Sequence, residues 1–348
     1  MLRLDAARVL RPDGSLEPGT VVIDGQRIVA IDALAGPAPD RTVAPGLIDI
    51  QVNGFADLDV AHGSAADLAR LGDLLATQGT TSWCPTLTSR DLDWYAEWFA
   101  THPDLAPGEI GIHLEGPFIN RPGAHRRSVL RPPDLSWLRA LPDRVRYVTL
   151  APDLPGAFEA VELLVQRDMV VALGHSEAGF DDAVRGAAAG ATLVTHVFNA
   201  MAALAHREPG LAGAALSDSR LTPGVIGDGV HVHPAVLALV LACGPAILVS
   251  DAVAWQREGL VVSEGAARLS DATLAGSVIT VLDAVRTAVV AGVDLAVALT
   301  AATMTPARVL GAEGLGALRA GAAADVVVLD RDLVLTDVWR NGERVLAR

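Results

Sequence analysis

The chain has 348 residues, 51% of them hydrophobic and only 4% aromatic, which is ample material for a large core of Val, Leu, Ile and Ala and excludes a disordered chain. Its 27 basic and 41 acidic groups leave a net charge of −14, which argues against a nucleic-acid binder, since such proteins present a basic face. Every basic residue is arginine, so a Schiff-base lysine, a P-loop lysine and a carboxylated lysine bridging two metals are all excluded.

The first ~40 residues read as short strands divided by turns. Residues 20–23 and 27–31 flank Asp24-Gly25, a hairpin signal. The last ~30 residues look alike, with apolar runs at 325–329 and 334–339 and an Asn341-Gly342 turn into 343–346. Between these ends the pattern changes to short apolar runs separated by Ala-rich helical stretches. Eight candidate strands lie at 47–51, 80–84, 110–114, 147–150, 170–173, 193–195, 225–226 and 246–250. Helical stretches at 65–77, 157–167, 181–189 and 234–242 fall among them.

Strand alternating with helix eight times is the requirement of a (β/α)8 TIM-type barrel. The competing doubly wound sheet is weakened because no GxGxxG or P-loop pattern follows a strand. The expected architecture is a barrel over 44–314 with a small discontinuous β-sandwich domain from the two chain ends, 1–43 and 315–348. The two cysteines, Cys84 and Cys243, form no CxxC pair and suit a reducing compartment. The first residues lack the build of a signal peptide, and no apolar run spans a membrane, so the expected location is cytoplasmic.

The polar residues at the strand ends carry the chemistry. Glu115 follows strand three, His175 strand five, His196 strand six and Asp251 strand eight. Strand one ends on Gln51 and Asn53, two apart and so on one face. In a barrel these positions surround the C-terminal mouth. Two imidazoles, one carboxylate and a water complete a zinc-type site, with Asp251 free to accept a proton from that water. A single buried histidine is more often structural and a single acid more often a surface group; four such residues ending four strands are harder to dismiss. His62, His102 and His206 lack that placement and read as ordinary, and Cys84 reads as packing.

With these stretches in view, the chain resembles the amidohydrolase superfamily and, within it, the N-acetylglucosamine-6-phosphate deacetylases. The matching segments are APGLIDIQVNG at 44–54, HLEGPF at 113–118, GHS at 174–176, THVFNAM at 195–201, HREPG at 206–210, DGVHV at 228–232, SDA at 250–252 and LAGS at 274–277. The resemblance implies that Glu115, His175 and His196 hold one divalent metal, with Zn2+ the default and Fe2+, Mn2+ or Co2+ the alternatives. It implies that Asp251 is the general base that later protonates the amine, and that His125 polarises the amide carbonyl. Ala124, Asn199, Ala200, Leu274, Ala275, Gly276 and Ser277 are similar to the parts that hold the sugar. Arg207 and His231 are similar to a phosphate-binding pair reaching in from a neighbouring subunit, which implies a homodimer. Gln51 and Asn53 stand where many members carry the His-x-His of a second metal, so one metal per chain is expected.

The implied reaction is hydrolysis of the acetamide of N-acetyl-D-glucosamine 6-phosphate, a small sugar phosphate, to glucosamine 6-phosphate and acetate. The alternatives are an N-acetylgalactosamine-6-phosphate or other amide deacetylase on the same barrel and, more remotely, a non-catalytic sugar-phosphate sensor. Family members carry a longer, lysine-bearing loop before the carbonyl-polarising histidine. Here that loop is the short Arg121-Pro122-Gly123-Ala124, a departure that bears on sugar preference and on the demand for phosphate.

Overall fold

Runs that are apolar on both faces suit a sheet buried on both sides, and eight of them line up here. In the computed structural model, which describes residues 1–34 and 36–347, strands one to eight are Leu47–Val52, Thr80–Thr88, Ile112–Glu115, Val145–Leu150, Val170–Leu173, Leu193–Val194, Thr222–Ile226 and Ile247–Val249. They pair in chain order, every pair parallel. This is the (β/α)8 barrel that the alternation requires. Strand two continues past Pro85, which lacks an N–H and reads as a terminator, because residues 86–88 pair with strand three.

The covering helices start where the sequence provides caps. Ala65–Thr77 begins at Ser64, whose hydroxyl accepts from Asp67 N–H while the Asp67 carboxylate accepts from Ser64 N–H. Thr280 and Asp283 repeat this reciprocal arrangement at Val281–Val290. Losing such a cap costs about 1 kcal/mol. The first helix buries Leu68, Leu71 and Leu75 at its 3–4 residue spacing.

The two chain ends share one seven-stranded sheet, in which Thr42–Pro45 lies between Leu2–Leu10 and Val326–Leu329. The sheet curls back on itself: Ile28 N–H donates to Ala322 O, and Ala324 N–H to Gln26 O. Leu4, Val9, Val21, Ile28, Val43, Leu318, Val326 and Trp339 form the core inside that curl. Its other face, through Val327, Leu329 and Val338, joins the main core of the barrel. After strand eight, a three-stranded antiparallel flap (Val261–Ser263, Ala266–Arg268 and Leu274–Ser277) stands at the mouth. No helix among the described residues is long and apolar enough to cross a membrane.

Strands eight and one meet at a seam stitched mostly from outside the ladder. Asn53 N–H and Gly54 N–H both donate to Ala252 O, at 2.8 and 3.1 Å. Lower down, the fully buried Asp49 carboxylate accepts from Gln51 N–H at 3.2 Å and Ser250 N–H at 3.3 Å, tying the two strands together. Burial raises Asp49 from 3.8 to about 6, against the hydrogen bonds from Ser250 and Gln51. The folded state therefore holds a proton that the unfolded chain releases between about pH 4 and 6, so the contribution of Asp49 to stability falls as pH rises through that window and is level above it. Across the window, wild type should lose roughly 3 kcal/mol that Asp49→Asn does not; parallel denaturant titrations of the two proteins at pH 4 and 7 check this.

Candidate active site

Three barrel strands deliver three ligand atoms to one point. Glu115 closes strand three, and His175 and His196 follow strands five and six. His196 Nε2 lies 3.0 Å from Glu115 Oε1 and 3.0 Å from His175 Nε2, and His175 Nε2 lies 3.3 Å from the same oxygen. Atoms each about 2.0–2.2 Å from a tetrahedral zinc-type centre stand at about such separations from one another. His175 Nδ1 is 2.8 Å from Arg121 O, and a carbonyl can only accept, so the ring proton sits on Nδ1 and the Nε2 lone pair faces the cluster. The donor set and its spacing fit a divalent cation.

The strand ends turn sharply to aim these groups. His175, His196 and Asp251 have φ of 50°, 25° and 49°, in the left-handed region that non-glycine residues seldom visit. The loop after strand three clasps His175, with Asn120 N–H and Arg121 N–H both donating to His175 O. One layer below Glu115, buried His113 stacks on Tyr147 at 3.8 Å. It bonds Thr149 Oγ1 at 2.8 Å, and Thr149 reaches Thr195 at 2.7 Å, joining strands three, four and six under the cluster. Burial lowers His113 to about 3, so this ring is neutral.

The strand-one amides reach the two carboxylates of the site. Gln51 Nε2 donates to Glu115 Oε1 at 2.9 Å, and Asn53 Nδ2 donates to Asp251 Oδ1 at 2.7 Å. Asp251 lines the cavity with only one of its oxygens held this way. Burial, then the charge of Glu115, raises Asp251 to about 8, while His196 and Asn53 pull the other way. At neutral pH a carboxyl so raised holds its proton, and a cation bound at the neighbouring cluster would favour its ionised, proton-accepting form. Burial also pushes Glu115 up, but the imidazoles of His125, His175 and His196 around it outweigh that and hold the carboxyl well below the usual range.

His125 approaches from the short loop, its Nε2 3.6 Å from Glu115 Oε2. Glu115, His125 and His175 therefore form a second, looser group whose ligand atoms lie within 4.8 Å of one another. Two features set His125 apart from the tighter trio. Ser89 N–H donates to its Nδ1 at 3.2 Å, which makes Nδ1 the acceptor and leaves the ring proton on Nε2, pointing inward. Burial, then the charge of His175, lowers its pKa to about 4, so the ring is neutral. A neutral ring with Nε2–H facing the site is a hydrogen-bond donor. Ser89 was not legible as a site residue while strand two was read as ending at 84; with its observed end at Thr88, Ser89 is the next residue, and the strand-end rule itself finds it.

A cavity of about 650 Å³ opens over these groups. Asn199, Ala200, His231, Leu274, Ala275, Gly276 and Ala124 line it. Ser277 does not: it is buried, and its hydroxyl donates to Ser250 O at 2.5 Å. Arg207 is exposed outside the cavity beside His206. His62, which carries no strand-end signal, reaches the cavity rim next to Asp59 and Arg257. His102 is structural, stacked on Trp98 at 4.2 Å, and Cys84 is buried packing. Gly276, at φ 140°, is required where it stands, since a Cβ there would come 2.8 Å from Asp251 O.

A barrel whose strand ends converge on two imidazoles and a carboxylate, with a further carboxylate alongside, is a hydrolase architecture of the amidohydrolase type; the chain matches the amidohydrolase family over residues 42–345 and belongs to that family. It is 36% identical to the human N-acetylglucosamine-6-phosphate deacetylase over 88% of this chain and 83% of that protein. It is 33% identical to an Escherichia coli O157:H7 N-acetylgalactosamine-6-phosphate deacetylase over 98% of each. The crystal structure of N-acetyl-D-glucosamine-6-phosphate deacetylase from Mycobacterium smegmatis superimposes with a TM-score of 0.92 at 36% identity, covering 99% of this chain and 100% of that one. A mutant of the same deacetylase has been solved in complex with N-acetyl-D-glucosamine-6-phosphate.

The two histidine groups make different predictions for cobalt. Co2+ titrated into chelator-treated protein should give a four-coordinate visible spectrum in wild type. His196→Ala should weaken binding by about 100-fold or more, whereas His125→Ala should leave the spectrum nearly intact.

Proposed function

We propose that this chain hydrolyses the acetamide of an N-acetylhexosamine 6-phosphate, with N-acetyl-D-glucosamine 6-phosphate as the substrate and glucosamine 6-phosphate and acetate as products. The observation that carries the reading is the placement, in one cavity, of a three-ligand cluster between a buried proton acceptor, Asp251, and an inward N–H donor, His125. The named relatives support the substrate class. One divalent cation per chain is proposed at Glu115, His175 and His196; Zn2+ suits two imidazoles and a carboxylate, with Fe2+, Mn2+ and Co2+ as alternatives. Bound there, a cation supplies Lewis acidity toward the amide carbonyl and makes a water more acidic.

The chain's own residues account for the proton and charge movements. Asp251 accepts the proton of the attacking water, held in orientation by Asn53 at its other oxygen, and returns that proton to the departing nitrogen. His125 Nε2–H donates to the carbonyl oxygen as negative charge grows there. Asn199, Ala200, Leu274, Ala275 and Gly276 form the wall against which the sugar lies. Ser277 acts by holding the end of strand eight rather than by touching substrate.

His231 is proposed to meet the phosphate from within the cavity. Arg207 lies outside its own chain's cavity, so its contribution requires a second copy, and a homodimer is part of the reading. Two free cysteines, one buried and one exposed, suit a reducing cytoplasm.

A second reading, the galacto epimer of the same sugar phosphate, is favoured by the N-acetylgalactosamine-6-phosphate deacetylase matches, whose identities of 33% and 37% bracket the 36% of the human relative. Acetate release from the two epimers separates these readings. A tenfold or larger preference for the gluco substrate is expected, and the reverse preference would transfer the assignment. Asp251→Asn should retain the cation and lose about 10²–10⁴ in kcat, measured by acetate release beside metal analysis. Near-normal turnover would remove Asp251 from its role.

A further inference from the structure

The turn after strand seven, Asp228-Gly229-Val230-His231, builds a buried acid–imidazole pair at the cavity wall. The Asp228 side chain is fully buried and that of His231 is 5% exposed. Asp228 Oδ1 accepts from Val230 N–H at 2.9 Å and from His231 N–H at 2.8 Å, which fixes the carboxylate. Its Oδ2 faces His231 Nδ1 at 2.6 Å. A carboxylate only accepts, so Nδ1 carries the proton and Nε2 is the atom left to act. Nε2 has no partner among the described residues, and His231 lines the cavity.

That arrangement carries a chemical demand. A neutral ring protonated on Nδ1 offers only a lone pair at Nε2, which repels a phosphate oxygen. To donate to phosphate the ring must hold a second proton and a positive charge, and a buried positive charge needs a counter-charge. Asp228 is placed to supply one. Burial works against its ionisation, but the hydrogen bond and charge of His231, with the two backbone N–H groups, outweigh it and keep its pKa below the usual value.

We propose that Asp228 is a positioning residue that makes His231 selective for phosphate: it turns Nε2 to the cavity and balances the charge the ring takes on against the 6-phosphate. The proposal rests on the hexosamine 6-phosphate reading above. Asp228→Asn keeps an oxygen for the backbone N–H groups but removes the counter-charge.

The test is steady-state kinetics of metal-loaded wild type, Asp228→Asn and His231→Gln on N-acetylglucosamine 6-phosphate and on N-acetylglucosamine. Asp228→Asn should raise KM for the phosphorylated sugar about tenfold or more, change kcat far less, and lower the ratio of the two kcat/KM values by a similar factor. A merely structural role would lower kcat on both sugars together and leave that ratio alone. Asp228→Glu, which keeps the charge, should recover part of the ratio and serves if the Asn variant does not fold.

If His231→Gln loses the ratio and Asp228→Asn keeps it, the role of Asp228 is overturned and the phosphate reading stands. If His231→Gln keeps the ratio, the assignment of phosphate to His231 falls, and this proposal with it. Wild type inactive on both sugars would overturn the proposed function itself.

Discussion

Three electron-rich atoms, Glu115 Oε1, His175 Nε2 and His196 Nε2, sit 3.0–3.3 Å apart at the mouth of the barrel. With the His175 proton committed to Arg121 O, its Nε2 turns a lone pair toward the Glu115 carboxylate, a repulsion that a cation held among the three atoms would relieve. Much of the surrounding structure serves to maintain it. Gln51 donates to the shared carboxylate oxygen, the 120–121 backbone clasps His175, and the His113–Thr149–Thr195 chain braces the layer below.

Holding such a cluster costs stability elsewhere in the fold. The left-handed backbone at His175, His196 and Asp251 is of a kind that costs about 1–3 kcal/mol per residue. Asp49 and Asp251 are both carboxylates raised by burial, and one ties the seam whose upper end presents the other. A closed barrel with helices outside and a second β unit on one flank provides the buried apolar area that offsets these terms. The division of labour is spatial: apolar residues fill the barrel, while polar strain is confined to its C-terminal rim.

Much of this was legible in the sequence. Period-two and uninterrupted apolar runs located all eight strands, because strands buried on both faces leave no polar face to confuse the pattern. The strand-end rule then brought Glu115, His175, His196 and Asp251 to one mouth. Other features were not legible, for physical reasons. Ser89 was hidden because strand two reads as 80–84 from its apolar run, whereas its pairing with strand three carries the ladder to Thr88. The tautomer of His125 depends on a backbone N–H whose position only the fold determines. Ser277 belongs to a motif that reads as sugar-binding, yet its hydroxyl closes on Ser250 O instead. Arg207 shows the reverse limit, since a residue that acts on another copy of the chain has no partner within its own.

The central claim is that Glu115, His175 and His196 hold a single cation while His125 stays out of the ligand set. Anomalous diffraction at the metal edge, on crystals of the metal-loaded protein, tests it most directly. The account predicts one peak per chain at about 2.0–2.2 Å from Glu115 Oε1, His175 Nε2 and His196 Nε2, with His125 Nε2 beyond bonding distance. A peak ligated by His125 in place of His196, or a second peak beside Gln51 and Asn53, would contradict it.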